Sequence, residues 1–159
     1  MTITQIKRTI QLRPYQSGAH KALDNFYDKG GRRGIVNLPT GCGKTITGLD
    51  YGRKRNGRML WIAHRDELIT QPIKAMQAVW PEASTGIVKA KYNEMDAQCV
   101  FASIQTLHRR LDQLPTFGPE DLVVVDECHH AAAHTYKKTL AAVGAFRPDG
   151  PPVVGLTAT

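Results

Sequence analysis

The sequence predicts an α/β domain with a mostly parallel central sheet and helices on both faces, and three observations carry that prediction. Short apolar runs recur at Gly34–Leu38, Met59–Ala63 and Leu122–Val125, and Met59–Ala63 is near-continuous, as a central strand covered on both sides requires. Stretches with helical periodicity separate them, which implies crossover connections and ligands at the carboxyl ends of the strands. Between the first run and the helix-like Ile46–Tyr51 lies Leu38-Pro-Thr-Gly-Cys-Gly-Lys-Thr45, a glycine loop joining strand to helix.

Taken in order, Thr2–Leu12 alternates weakly and reads as a short strand or an extended arm. Pro14 suits the first turn of a helix whose stripe is Ala19, Ala22, Leu23, Phe26 and Tyr27, ended by Gly30-Gly31. The helix after the glycine loop runs to about Arg55, where Asn56-Gly57 breaks it. The strand Met59–Ala63 opens onto a helix with acidic residues in its first turn, which Pro72 kinks or divides. Thr85–Lys89 and Gln98–Ser103 are further strands around a polar loop, 91–96. Ile104, Leu107, Leu111 and Leu114 line one face of a predicted helix. Leu122–Val125 runs into Asp126-Glu127, a helix covers Tyr136–Val143, and Val153–Leu156 is the last strand.

The 159 residues suit a single domain, and the net charge of +7 favours a polyanionic partner. Twelve Lys and Arg against three Asp and Glu fall within Met1–Arg58. A cluster such as Arg53-Lys54-Arg55 also reads as a solvated helix end. The three cysteines, Cys42, Cys99 and Cys128, have no paired spacing, which fits a reducing, cytoplasmic setting. No apolar stretch approaches the roughly twenty residues of a membrane span, and no signal peptide is evident.

In a loop of this kind the glycines let backbone N–H groups turn around a phosphate, and the following helix presents its positive end to the same anion. Lys44 supplies a mobile cation for the outer phosphates, and the Thr45 hydroxyl can hold magnesium. Acidic residues directly after an apolar strand invite a metal. In one parallel sheet Lys44 and Asp126 converge, with Thr45 and Asp126 on magnesium and Glu127 placed to orient or deprotonate water, an arrangement that hydrolyses a nucleoside triphosphate. Gln16 beside Arg13 offers a donor and an acceptor to an adenine edge, although the residues alone favour a plain helix start. Arg65 can meet a nucleic-acid phosphate or pair with a nearby carboxylate. Cys128, His129, His130 and His134 lack the spacing of a closed zinc site.

From Arg13 to Thr159 the chain resembles the first RecA-like domain of a superfamily-two helicase or translocase of the DExH kind. Arg13-Pro-Tyr-Gln16 resembles the adenine-sensing motif, and Leu38–Thr45 resembles motif I, whose first glycine is often replaced, as by Leu38 here. Ile62–Leu68 resembles motif Ia, and Ala102–Leu107 the next motif that contacts nucleic acid. Asp126-Glu-Cys-His129 resembles motif II, and Gly155–Thr159 motif III. The wording is most similar to bacterial and phage DNA repair helicases and restriction-enzyme motor subunits.

The resemblance implies ATP and magnesium as cofactors. Gln16 and Arg13 would recognise adenine, while Gly41, Cys42, Gly43, Lys44 and Thr45 would form the phosphate cradle. Asp126 would bind magnesium and Glu127 activate water. Arg65 and Thr106 would touch the nucleic-acid backbone, DNA before RNA, with little sequence specificity. Thr157 and Thr159 would link nucleotide state to that grip through His129. It also implies a second RecA-like domain after motif III, which supplies an arginine finger. Residues 1–159 read as one such domain without the second, so nucleotide turnover is expected to fall by on the order of a thousandfold. The competing readings are a nucleotide-gated clamp on RNA or duplex that does not translocate, and a small-molecule kinase with incidental charge. Directional strand displacement separates the first, and a phosphorylated metabolite the second.

Overall fold

The structure is a computed structural model that describes residues 10–39, 43–130 and 133–158. Among the described residues seven strands, β1 (Arg33–Asn37), β2 (Met59–Ala63), β3 (Thr85–Lys89), β4 (Tyr92–Asn93), β5 (Cys99–Ser103), β6 (Leu122–Asp126) and β7 (Val153–Thr157), form one sheet in the order β1-β7-β6-β2-β5-β3-β4. Every pairing is parallel except β3 with β4. The helices are α1 (Pro14–Asp28), α2 (Lys44–Arg55), α3 (Glu67–Val79), the single turn α4 (Ile104–Leu107) and α5 (His134–Ala142).

Alternate residues of the central strands sort into two cores, as a period of two demands. Met59, Trp61 and Ala63 join Phe101, Leu122, Val124, Val154 and Leu156 against α1, α2 and α3. Leu60 and Ile62 join Val100, Ala102, Val123 and Val125 against Leu107 of α4 and Tyr136 and Leu140 of α5. All five residues of β2, β5, β6 and β7 are buried, so the expectation of helices on both faces holds. Tight approach of α2 depends on Gly48, where a Cβ would lie 2.9 Å from Leu156 Cδ1 and 3.1 Å from Trp61 Cζ3.

Four expectations are corrected. The buried face of α1 is Gln16, His20 and Leu23, while Ala22 and Phe26 are exposed, because β1 lies at the edge of the sheet formed by the described residues. Phe26 and Ala22 instead line a hollow of about 700 Å³ against Ile35, itself 72% exposed. Pro72 does not divide α3: the carbonyl of Leu68, which a proline at 72 leaves without its helical donor, accepts from Trp61 Nε1 (3.3 Å). The helix expected over 104–114 stops after one turn and resumes as a 3₁₀ turn at Leu111–Gln113. The polar loop 91–96 contains β4. Of the arm at 2–12, residues 2–9 lie outside the described residues, and 10–12 form no regular element. Among the described residues no helix is long and apolar enough to cross a membrane.

Candidate functional site

The parallel register puts the ends of β1, β2, β5, β6 and β7 on one edge, and the helix that follows β1 starts there. Gly43 caps α2 at φ +69°, a left-handed conformation that favours glycine, and a Cβ would meet Gln16 Nε2 at 2.7 Å. The twelve-residue α2 therefore points its positive end at this edge. Lys44 opens the helix and Thr45 follows it, half-buried.

Lys44 Nζ donates to Asp126 Oδ1 (3.0 Å) and to Glu127 Oε1 (2.6 Å). Burial alone would lower the pKa of this ammonium, but its bonds to the two carboxylates outweigh burial and the net displacement is upward. Asp126, 1% exposed, is raised by burial, which Lys44 only partly offsets. Glu127 is lowered, first by its hydrogen bond to Lys44. Among the described residues both bonds that Asp126 accepts fall on Oδ1, from Lys44 and from the Glu127 amide (2.9 Å). Glu127 itself sits at φ +54°, a left-handed conformation rare outside glycine, and such strain is common where function fixes a side chain.

His129 Nδ1 lies 3.5 Å from Glu127 Oε2 and 3.4 Å from Thr157 Oγ1, so the structure brings two of the residues read as coupling nucleotide state to grip, His129 and Thr157, beside the carboxylate read as activating water. Gln16 is 6% exposed and uses both ends of its amide internally: Oε1 accepts from the Arg13 amide (2.9 Å) and Nε2 donates to Gly43 O (3.1 Å). Arg13 is exposed and donates to the Tyr15 hydroxyl (3.3 Å). Gly41, Cys42 and Thr159 lie outside the described residues.

Arg65 and Thr106 follow the adjacent strands β2 and β5 on the same edge. The carboxylate next to Arg65, Asp66, is held by Lys89 (2.9 Å), and Arg65 is exposed without an ion pair among the described residues. Part of the early positive charge maps elsewhere. Arg53 and Lys54 face Asp50 (2.6 and 3.8 Å), Arg55 donates to Pro119 O (2.7 Å) and Arg58 to Met95 O (3.0 Å), all near the amino-terminal edge of the sheet. These four cations do not contribute to the site, whereas Lys44 does.

Several residues escaped sequence reasoning. His64 lines, with Arg65, Glu67, Leu68, Glu127 and His129, a cavity of about 320 Å³ beside the catalytic carboxylate candidate. Its place at the end of β2, directly before Arg65, was the available signal. Gln105 Nε2 donates to His64 O (3.0 Å), joining α4 to that loop. His20 Nε2 bonds Thr47 O (2.8 Å), and Thr47 Oγ1 donates to Gly43 O (2.9 Å), so α1 and α2 are tied behind the phosphate loop.

Comparison with known proteins agrees with this geometry. The family described as the type III restriction enzyme, res subunit, matches residues 9–159. IRC3 of Saccharomyces cerevisiae, named as an ATP-dependent helicase, is 33% identical over 161 residues, covering 93% of this chain and 23% of that protein. Its counterpart irc3 of Schizosaccharomyces pombe, named as a mitochondrial ATP-dependent helicase, is 32% identical over 166 residues, covering 94% and 26%. The chain thus spans about a quarter of the length of the curated relatives it matches. The SWI2/SNF2 ATPase core of Sulfolobus solfataricus, solved with double-stranded DNA, superposes with a TM-score of 0.70 at 16% identity, over all of this chain and 34% of that one. The chain belongs to the type III restriction enzyme res-subunit family, as a first RecA-like nucleotide-binding domain of the superfamily-two helicase kind.

Proposed function

We propose that this chain hydrolyses ATP as part of a nucleic-acid motor, with DNA as its track. The observation that carries the reading is the contact of Lys44 with both Asp126 and Glu127 in front of the amino terminus of α2. Phosphate-binding cation, metal-binding carboxylate and water-activating carboxylate then share one point. The donor set fits magnesium: Asp126 and the Thr45 hydroxyl are hard oxygen donors, and Asp126 Oδ2 accepts no bond among the described residues. When bound, magnesium supplies charge neutralisation at the outer phosphates.

Lys44 exchanges its carboxylate partners for phosphate oxygens, and the Gly43 turn with the α2 terminus stabilises the anion. Glu127, released from Lys44, orients the attacking water and takes its proton. His129 reports that state to Thr157. Gln16 and Arg13 keep their implied role toward the adenine, which requires the Gln16 amide to give up a bond to the Arg13 amide or to Gly43 O, and Gly41, Cys42 and Thr159 keep their implied roles in the phosphate cradle and the coupling motif. Arg65 and Thr106 hold the strand by its backbone, and a second RecA-like domain supplies the arginine that completes the cleft. The free thiols Cys99, pushed up to about 12 by burial, and Cys128, raised by burial, suit a reducing cytoplasmic setting. Glu127→Gln, made in the chain joined to a second RecA-like domain, tests the assignment: ATP and magnesium binding persist and turnover is lost. Normal hydrolysis by that variant would refute the role of Glu127.

A further inference from the structure

At the same carboxyl edge, the turn between β3 and β4 forms a surface that the assignments above leave unused. Lys89 pairs with Tyr92 across the turn, with Ala90 and Lys91 at its tip. Ala90 has φ +51°, a strained conformation for a residue with a side chain, and the surrounding structure holds it there. Its amide donates to Thr106 Oγ1 (3.2 Å). Arg110 donates through Nη2 to Ala90 O, and through Nη1 to Tyr92 O (2.8 Å) and Asn93 Oδ1 (3.3 Å). The far side is fixed by Asn93 Nδ2 donating to Gln113 Oε1 (2.8 Å).

This bracing displays two side chains. Tyr92 is 49% exposed and belongs to neither hydrophobic core, and the exposed Lys91 ammonium stands 5.5 Å from its ring centroid. The turn is also continuous with the backbone-holding residues. Thr106 bonds the tip directly, Lys89 grips Asp66 beside Arg65, and Gln105 bonds the His64 carbonyl. The nearby carboxylates Asp66 and Glu94 are engaged, by Lys89 and by the Ile87 amide (3.0 Å), whereas Arg65 and Lys91 have no acidic partner among the described residues. A rigid aromatic face beside a cation is the chemistry that stacks a nucleobase, and stacking requires that base to be unpaired.

We propose that Tyr92 and Lys91 form a stacking platform for an unpaired base of the strand whose backbone Arg65 and Thr106 hold. The proposal rests on the nucleic-acid motor reading above. The test uses the full chain and a single-stranded DNA oligonucleotide containing 2-aminopurine, with affinity and fluorescence quenching as readouts. Tyr92→Ala weakens binding roughly fivefold or more and abolishes quenching, while Tyr92→Phe retains both. Lys91→Ala reduces the slope of log affinity against log salt by about 0.7. ATP affinity is unchanged in all three variants. Wild-type affinity and quenching in Tyr92→Ala overturn the platform, as does an equal loss on duplex and single strand with quenching intact. If the platform alone is wrong, Arg65→Ala still weakens binding; if the motor reading is wrong, the unaltered chain binds no strand and both fall.

Discussion

Replacing Gln16 by glutamate isolates one arm of the amide that joins α1 to the phosphate loop. The acceptor arm survives, because a carboxylate oxygen still receives the Arg13 amide. The donor arm becomes a repulsion, because an oxygen now faces Gly43 O across 3.1 Å at a residue only 6% exposed. Losing that bond and leaving two acceptors opposed costs about 2 kcal/mol. With a urea slope of about 1–3 kcal/mol/M, the unfolding midpoint falls by roughly 1 M at constant slope. Gln16→Ala loses both arms without the repulsion and costs about 1–2 kcal/mol. ATP affinity falls in both variants, because Gly43 caps the helix that meets the phosphates. A glutamate variant that unfolds at the wild-type midpoint would show that the amide does not hold the loop.

Lys44→Ala weakens ATP binding and also destabilises the nucleotide-free fold by about 2–3 kcal/mol, since it strands the buried Asp126 carboxylate; an unchanged urea midpoint contradicts this. His20, 3% exposed, is lowered from 6.5 chiefly by burial, with Lys54 adding to the effect and the Thr47 carbonyl, Asp50 and Asp24 opposing it. The unfolded chain therefore takes up the proton first, so this contribution is complete above 6.5 and is lost as pH falls through the depressed folded value. Urea titrations at about pH 7.5 and about pH 5.5 show a smaller acid loss in His20→Gln than in the wild type; equal losses contradict the assignment. Tyr136 buries its hydroxyl without a partner among the described residues, and burial pushes its pKa up to about 12. Tyr136→Phe is therefore as stable as the wild type or more stable by up to about 1 kcal/mol, and a clear loss on thermal melting contradicts that.

The central strands β2 and β6 were legible because Met59–Ala63 and Leu122–Val125 are apolar at every position, the pattern of strands covered on both faces. The nucleotide site was legible because strand ends converge in a parallel sheet, so Lys44 and Asp126 could be joined without knowing the intervening path. Contacts between elements were not legible. Nothing local indicates that the Trp61 indole relieves the Leu68 carbonyl and lets α3 run through Pro72. The face of α1 was misread because two polar residues, Gln16 and His20, point inward to hold α2, a preference that hydropathy inverts. The apolar period from Ile104 to Leu114 is real, but Arg110 serves the β3–β4 turn and the helix breaks before it. The backbone reversal at Glu127 has no residue signature, because glycine would be the ordinary choice there.

ATP hydrolysis by the full chain joined to the second RecA-like domain proposed above, measured alone and with single-stranded DNA, duplex DNA or RNA, is the most direct test. The expected result is magnesium-dependent turnover that a DNA strand stimulates and that Glu127→Gln abolishes. Tight ATP binding with no stimulation by any nucleic acid would contradict it.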